Sequence, residues 1–469
     1  MLLDKLTSNL ESVQEFEREP VPPARQKGWR SFLGMYAGEH TAGTEFVIGP
    51  LFVAHGASAG DLIFGLLIGN LLAVLSWAFL CAPIATKERI TLYYKLEKIC
   101  GKRLTVVYNL VNALMFCFLA GSMIAVSATA VGIPFDMPMA ELSDWLPNSV
   151  SWVVIVMVVG MVTTIVATLG YEQVSRFANL ASPWMILVFL AAAIAVLPEL
   201  GIQHAGDFWS AAESKIWTGV PLEGQSKFTF WHVLFFAWFC NMAMHIGMAD
   251  LSIFRYAKSW KSGFTSAGGM FVGHYIAWLA SGILYAVFLQ KSQNSLEFAP
   301  GPIAYYAAGI AGACCVIIAG WTTANPTIYR AGLAVQAIIP NSKTWKVTLI
   351  VGLITTAAAC FPALVMRLLD FVALYGLVLM PMGAIIFIDF YLLPRLGLRS
   401  DYAEKAGIGI NWAATGTWVL TLATCLFINF YVGVEIFFLG LPGWFVAVLL
   451  YTVLSYWVQS SKTEKTSLS

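Results

Sequence analysis

The fold is decided by residues 31–55, SFLGMYAGEHTAGTEFVIGPLFVAH. A helix of this length spans about 37 Å at ~1.5 Å per residue, which is enough to cross a bilayer. The stretch also carries Glu39, His40 and Glu45, and four glycines and Pro50 interrupt it. Ionisable side chains and unwound backbone are tolerated at membrane depth where they face a cavity or a partner. A helix that is broken and charged at the same place is therefore typical of a transport site.

Each of these residues also has a structural interpretation. A single acid can lie at a helix end, and glycines can serve close helix packing. For Glu45 alone we favour the structural interpretation. For Gly38, Glu39 and His40 together we favour a substrate-binding role, because three unusual residues coincide at one break.

The composition places the chain in a membrane. Hydrophobic residues make up 59% of the 469 residues and charged residues only 11%, whereas a soluble domain has about 25% charged residues. The net charge of +1 provides no basic surface for nucleic acid. The eight cysteines are not spaced in pairs, as the ligands of a metal site would be. We interpret them as small buried hydrophobic residues. We therefore expect an all-α integral membrane protein surrounded by lipid bilayer, with no organic cofactor and no nucleic-acid partner.

The apolar runs predict twelve transmembrane helices, with soluble tails at residues 1–30 and 459–469. The N-terminal tail contains no apolar core of the signal-peptide type. The twelve runs lie near residues 31–55, 62–86, 104–131, 149–169, 177–197, 228–254, 264–289, 303–329, 347–365, 371–393, 410–430 and 434–458.

The distribution of Lys and Arg predicts the orientation, since basic residues concentrate in cytoplasmic loops. With the N-terminus in the cytoplasm, all but four of the 27 basic residues fall in cytoplasmic segments. The four outside are Lys215, Lys227, Lys291 and Arg367. The sequence therefore predicts a multi-pass protein of the cell (inner) membrane, with both termini in the cytoplasm and the loop at residues 201–227 outside.

A second broken, charged helix is predicted at residues 228–254, which contain Asn241, His245, Gly247 and Asp250. It lies five spans after the first. Broken helices in corresponding positions indicate two inverted halves of five helices each. The two halves are residues 31–200 and 228–393, and two further helices lie within residues 394–458.

The titratable residues of this region differ in what they suggest. His245 is a candidate for the substrate site, with a satisfied buried histidine as its structural alternative. Asp250 has a strong structural alternative, because Arg255 follows five residues later. His232 and His274 stand alone on apolar faces, and we interpret both as structural.

The eighth span ends in AGWTTANP at residues 319–326. The adjacent hydroxyls of Thr322 and Thr323, with main-chain carbonyls, suit a small, hard cation such as sodium, which prefers oxygen ligands. Threonine often bonds its own helix backbone, so the pair gains weight from lying opposite the broken first helix. Asn325 can donate and accept hydrogen bonds at once, as recognition of a heterocycle edge requires.

These residues resemble the nucleobase:cation symporter-1 family, the group of bacterial cytosine permeases and hydantoin transporters, which has the LeuT-type fold. The resemblance covers nearly the whole chain, and the match in the eighth helix is the most specific. The similar stretches are EPVPP at 19–23 before Gly28-Trp29, IGN at 68–70, WTTAN at 321–325 with Ile328-Tyr329 and Ala331-Gly332, and IFIDFY at 386–391.

The resemblance implies a function and an aromatic clamp. Its members carry planar nitrogen heterocycles by cation-coupled symport and alternating access, and hold the substrate between rings of the third and sixth helices. Here the third-helix ring would be Phe116 or Phe118, and the sixth-helix ring Trp238 or Phe239. Each of these rings has core packing as its structural alternative.

The resemblance also implies a sodium site. It would use main chain near Ala37, His40 and Ala319, with the hydroxyls of Thr322 and Thr323. The coupling ion is expected to be sodium, with the proton as the alternative. The other expected partner is a small heterocyclic substrate, and the protein is expected to be monomeric.

The chain also departs from the family pattern. Phenylalanine replaces the usual tryptophan of the third helix, and Glu39, His40 and His245 are unusual at their positions. These departures suit a more basic or more polar substrate than cytosine or hydantoin. They also suit proton coupling, because a carboxylate beside an imidazole can carry a proton near neutral pH.

Three other functions remain as alternatives. An amino-acid or amine symporter can have the same fold, and a channel can also use broken helices. An intramembrane enzyme using Glu39, His40 and His245 ranks last, because the sequence has neither paired metal ligands nor a nucleophile elbow. We therefore expect a transporter and not an enzyme.

Overall fold

The computed structural model describes residues 16, 18–137, 140, 144–291, 300–339, 341–363 and 368–467. Within these residues every long element is a helix and there is no named strand, which confirms the predicted all-α class. Most of the predicted N-terminal tail, namely residues 1–15 and 17, lies outside the described residues, as does Arg367.

The first part of the chain forms seven helices. They are α1 (Arg30–Glu39), α2 (Glu45–Ala54), α3 (Ala59–Glu88), α4 (Leu92–Cys100), α5 (Lys102–Val131), α6 (Val150–Thr168) and α7 (Tyr171–Val196). A short helix, Phe208–Ala211, lies in the following loop.

The second part repeats the broken first element and adds two C-terminal helices. Its helices are α8 (Phe230–Phe239), α9 (Met242–His245), α10 (Leu251–Phe254), α11 (Trp260–Gln290), α12 (Pro300–Ile338), α13 (Thr344–Ala359), α14 (Leu368–Tyr391), α15 (Trp412–Val432) and α16 (Ile436–Ser467).

Nine helices among the described residues are long and apolar enough to cross a membrane. Three shorter apolar helices, α2, α8 and α13, lie at the remaining predicted spans. Two of these three belong to the predicted broken helices, whose interruptions shorten them. The count of twelve crossings therefore stays a prediction, while the position of each apolar run agrees with an observed helix.

Both predicted breaks are present. The chain leaves helical geometry between Glu39 and Glu45, and again at Cys240 and Asn241. A further turn after α9 places Met248 at a positive φ of 61°, which is uncommon for a residue with a side chain. Unwound backbone at this depth must bond to protein, so neighbouring helices have to supply the partners.

Close helix packing brings those partners to the first break. α1 packs against α7 and the start of α11, and α12 packs along α5 and α7. A Cβ added to Gly273 would lie 2.5 Å from the carbonyl oxygen of His40, so only glycine allows α11 to approach so closely. Such small-residue contacts are how membrane helices bring their backbones together.

The basic-residue count needs two corrections. Arg255 and Arg330 were counted as residues of cytoplasmic loops, but both are fully buried. α12 continues to Ile338, well beyond the predicted end of the eighth span, and carries Arg330 inside the protein. The remaining bias still predicts that both termini are cytoplasmic.

Cysteine labelling tests this orientation. Ser210, exposed in the Phe208–Ala211 helix, is predicted outside, and Ser400, before the Tyr402–Lys405 helix, is predicted inside. In intact cells an impermeant maleimide should label Ser210→Cys above the background of the eight native cysteines and should leave Ser400→Cys unlabelled. Labelling of Ser400→Cys alone would reverse the topology.

Candidate functional site

The hydroxyls of α12 meet the freed carbonyls at the end of α1. Thr322 Oγ1 lies 2.8 Å from the carbonyl oxygen of Gly38, and Thr323 Oγ1 lies 3.1 Å from that of Glu39. The carbonyl oxygen of Ala319 lies 2.9 Å and 3.3 Å from the same two hydroxyls. The broken helix and α12 thus gather five neutral oxygens, a donor set that suits a small, hard cation.

This cluster differs from the predicted sodium site in two residues. Ala319, Thr322 and Thr323 come together as expected. The carbonyl of Ala37 instead accepts a hydrogen bond from Thr41 Oγ1 at 2.5 Å, and the carbonyl of His40 faces Gly273. The carbonyls of Gly38 and Glu39 take their places, because these are the carbonyls of α1 that lie against Thr322 and Thr323. We call the five oxygens the oxygen cluster.

A cavity lies beside the oxygen cluster, between the two broken helices. It contains about 630 Å³ of space not occupied by protein atoms, a figure that includes solvent on its open side. Thr323 lies both in the oxygen cluster and on the cavity wall. The lining residues are Glu39, His40, Thr44, Glu45, Ile48, Leu119, Cys240, Asn241, Ala243, Met244, His274, Thr323, Val372 and Tyr375.

Glu39 belongs to a buried ion-pair network. Its carboxylate accepts hydrogen bonds from Arg330 at 2.5 and 3.2 Å. Arg330 also donates to Asp250 at 2.8 Å, and Tyr36 and Trp77 each donate to Asp250 at 2.7 Å. We call Glu39, Arg330 and Asp250 the charge triad. It connects α12 with both broken helices and gives Asp250 a partner other than the expected Arg255.

Glu45 and His274 lie on the cavity wall, although both were predicted to be structural. Glu45 accepts hydrogen bonds from Thr44 at 3.0 Å and from the indole nitrogen of Trp278. His274 Nε2 lies 3.7 Å from the Glu45 carboxylate. The His274 ring stacks on Trp278 with centroids 4.2 Å apart, and it meets the His40 ring edge-on at 4.7 Å.

The predicted aromatic clamp is not found on the cavity wall. Phe116 packs behind Tyr375, with ring centroids 5.1 Å apart, and Phe118 stacks on a ring of α14. Trp238 stacks on Phe239 at 4.6 Å and donates its indole hydrogen to Ser76. The side chains of these four candidates are engaged with neighbouring helices, and Tyr375 is the phenyl-type ring among the lining residues.

Two further candidates lie away from the cavity wall. His245 Nε2 lies 3.0 Å from the carbonyl of Trp238, and its ring packs on Trp77 with centroids 4.6 Å apart. Asn325 is buried, and neither atom of its amide has a hydrogen-bond partner among the described residues.

Gly38 contributes its carbonyl to the oxygen cluster instead of lining the cavity. Of the nine substrate-site candidates, only Glu39 and His40 line the cavity.

The sequence contained partial signals for the residues that were missed. Glu45 stood in the broken stretch itself, and His274 was an isolated histidine in an apolar run. An ionisable residue inside a membrane segment is by default a candidate for function. The sequence does not reveal that α2 and α11 pack side by side, and this packing brings Glu45 and His274 together.

Comparison with known proteins shows the fold. No family model matches the chain, and no curated protein matches it in sequence. The closed, bromovinylhydantoin-bound structure of Mhp1, a nucleobase-cation-symport-1 family transporter, aligns at a TM-score of 0.72 and 15% identity, covering 96% of each chain.

Two other solved transporters are similar. A substrate-bound, outward-open Na⁺-coupled sialic acid symporter aligns at a TM-score of 0.65 and 15% identity, covering 97% of this chain and 96% of its own. A manganese transporter of Eremococcus coleocola aligns at 0.55 and 11% identity, covering 95% and 97%. At such identities the likeness concerns the fold alone. Over nearly its whole length, the chain has the LeuT-type fold of these membrane transporters.

Proposed function

We propose that the protein is a cation-coupled symporter that takes up a nucleobase or a related planar nitrogen heterocycle by alternating access. The observation that carries this proposal is the meeting of the oxygen cluster and the cavity at the same break. Thr323 and Glu39 belong to both, so a cation bound at the cluster changes the wall against which the substrate lies. Such shared residues give two ligands a coupling free energy.

The cavity lining indicates the charge of the substrate. The lining residues include two carboxylates and two imidazoles, and neither Lys nor Arg is among them. Such a wall repels a free carboxylate and favours a neutral or positively charged molecule with N–H donors. This distinction favours a nitrogen heterocycle over a zwitterionic amino acid or an acidic sugar.

The composition of the cavity wall suits a flat substrate. Tyr375 and His40 supply rings to the wall, and Thr44, Asn241 and Thr323 supply groups that can both donate and accept hydrogen bonds. One of the similar transporters also supports a heterocyclic substrate, since the Mhp1 structure contains a bound hydantoin derivative. An amine symporter is the second candidate, because the lining carboxylate of Glu45, which has no Lys or Arg partner among the described residues, would bind a protonated amine.

A thermal-shift screen tests the proposed function. Purified protein is heated with nucleobases, hydantoins, amines and amino acids, in sodium and in choline buffers. We expect a heterocycle to raise the unfolding temperature, and sodium to increase that effect, because a ligand stabilises the state that it binds. The effect must be reciprocal, so the heterocycle should also increase stabilisation by sodium. Stabilisation by amines or amino acids alone would replace the heterocycle by the second candidate.

A further inference from the structure

Among the residues that the structure describes, the carboxylate of Glu45 has no basic partner with a fixed charge. Its oxygens accept hydrogen bonds from the hydroxyl of Thr44 and the indole of Trp278, both of which are neutral donors. The ionisable nitrogen that the described part of the chain brings within 4.0 Å of this carboxylate is Nε2 of His274, at 3.7 Å, which is beyond hydrogen-bond distance. Glu45 is nevertheless almost completely buried.

The charge triad cannot neutralise Glu45. The triad has two carboxylates, on Glu39 and Asp250, for one guanidinium, on Arg330, and both carboxylates are within 3.2 Å of it. The guanidinium is therefore fully engaged with carboxylates of its own. An unpaired carboxylate at membrane depth costs several kcal/mol, so Glu45 needs a positive charge from elsewhere.

The groups around Glu45 can pass a proton but supply no permanent charge. His274 faces it from α11, and the ring of His40, at the end of α1, touches His274. Cys240, at the end of α8, and Tyr375, on α14, also lie on the cavity wall, as does Glu39. His274 Nδ1 is buried and has no hydrogen-bond partner among the described residues.

We propose that Glu45, with His274 beside it, binds a proton from the cavity and is the proton-coupling site of the transporter. The proton is shared between a Glu45 oxygen and His274 Nε2, so that each group carries it in part of the molecules, and the pair then has no net charge. When the proton leaves, one uncompensated negative charge remains at the start of α2. Because α2 begins the second half of the broken helix, this charge acts directly on the break between α1 and α2.

The use of this proton in transport rests on the proposed function, whereas proton binding itself does not. Protein that binds no heterocycle but still titrates at Glu45 would overturn the proposed function alone. Protein that binds a heterocycle without any titration at Glu45 would overturn the proton site alone. The tests of the proton site therefore use the protein without substrate, with the proton as the only probe.

Infrared difference spectroscopy of purified protein tests Glu45. Between about pH 5 and 9 we expect the carbonyl stretch of protonated carboxylic acids to appear on acidification, with a component that is absent from Glu45→Gln. Asp389→Asn removes a different buried carboxylate, which lies 4.0 Å from Lys95, and should keep this component. His274→Gln should shift its midpoint by about one pH unit. If Glu45→Gln loses no component of the band, the proposal is overturned.

Tryptophan fluorescence tests His274 without altering Glu45. The imidazole stacks on Trp278 at an interplanar angle of 17°, and a protonated imidazole quenches a stacked indole. We expect fluorescence to fall on acidification, with a component that is lost in both Trp278→Phe and His274→Gln. Trp412→Phe, which changes an exposed tryptophan, should keep this component. If neither variant alters the pH dependence, the partnership of His274 with Glu45 is wrong, even where Glu45→Gln cannot be purified.

Discussion

Replacing Arg330 with methionine is expected to lower the free energy of unfolding by about 3–5 kcal/mol, the usual result of breaking a buried ion pair by removing one partner. The change leaves the carboxylates of Glu39 and Asp250 without their cation, and both are buried. Methionine replaces the aliphatic stem of the arginine and carries no charge. Thermal unfolding of the purified variant measures the loss.

Two further variants test whether the loss of stability comes from unpaired buried charge at the charge triad. Adding Glu39→Gln and Asp250→Asn to Arg330→Met should recover much of the lost stability, because no unpaired charge then remains. Arg176→Met is the matched control, since Arg176 pairs with Glu172 at 2.6 Å on the surface with 67% of its side chain exposed. A surface pair is worth about 0–1 kcal/mol. If Arg330→Met and Arg176→Met unfold at the same temperature as the wild type, the charge triad does not stabilise the protein.

Replacing Thr322 and Thr323 together with alanine is expected to abolish the response to sodium. The change removes two of the five oxygens of the oxygen cluster and leaves the three carbonyls. With each lost ion–oxygen contact set equal to a hydrogen bond to a charged group, about 1.5–3 kcal/mol, sodium affinity should fall by about 100-fold or more at 1.4 kcal/mol per tenfold change. The measurement is the rise in unfolding temperature with sodium concentration at constant ionic strength.

Thr327→Ala provides the control on the same helix. Thr327 is fully buried and donates to the carbonyl of Thr323 at 2.6 Å, one turn beyond the cluster. It makes the same kind of bond to its own helix but has no hydrogen bond to α1 among the described residues. The Thr327→Ala variant should respond to sodium as the wild type does. If the double variant responds to sodium as the wild type does, the oxygen cluster is not the sodium site. Coupling would then rest on the proton site at Glu45.

The resemblance pointed to the helices of the predicted aromatic clamp but did not define which residue of each helix faces the cavity. Phe116, Phe118, Trp238 and Phe239 were chosen by their positions in the third and sixth helices. A shift of one residue turns a helix by about 100°, so the correct helix with a small error in register places the ring on another face. In the structure Leu119 and Cys240, each one residue beyond a predicted ring, line the cavity instead.

The sequence by itself determined the elements and their interruptions. Apolar runs long enough to span a bilayer, separated by basic segments, predicted the helices, because this signal is local and needs no partner. Glycines and ionisable residues within residues 31–55 and 228–254 predicted both breaks. The adjacent hydroxyls of Thr322 and Thr323 predicted the oxygen cluster, because the fold expected from paired broken helices puts α12 opposite the first break.

Only the tertiary structure decided which charges are paired and which face the cavity. Arg330 and Glu39 are separated by 291 positions, and Glu45 and Trp278 by 233. No local pattern encodes such pairs, since a buried arginine and an arginine of a cytoplasmic loop look alike in sequence. The pairing follows from the packing of α12, α11 and the broken helices. This packing places the guanidinium of Arg330 between Glu39 and Asp250, and among the described residues it brings no fixed positive charge to Glu45.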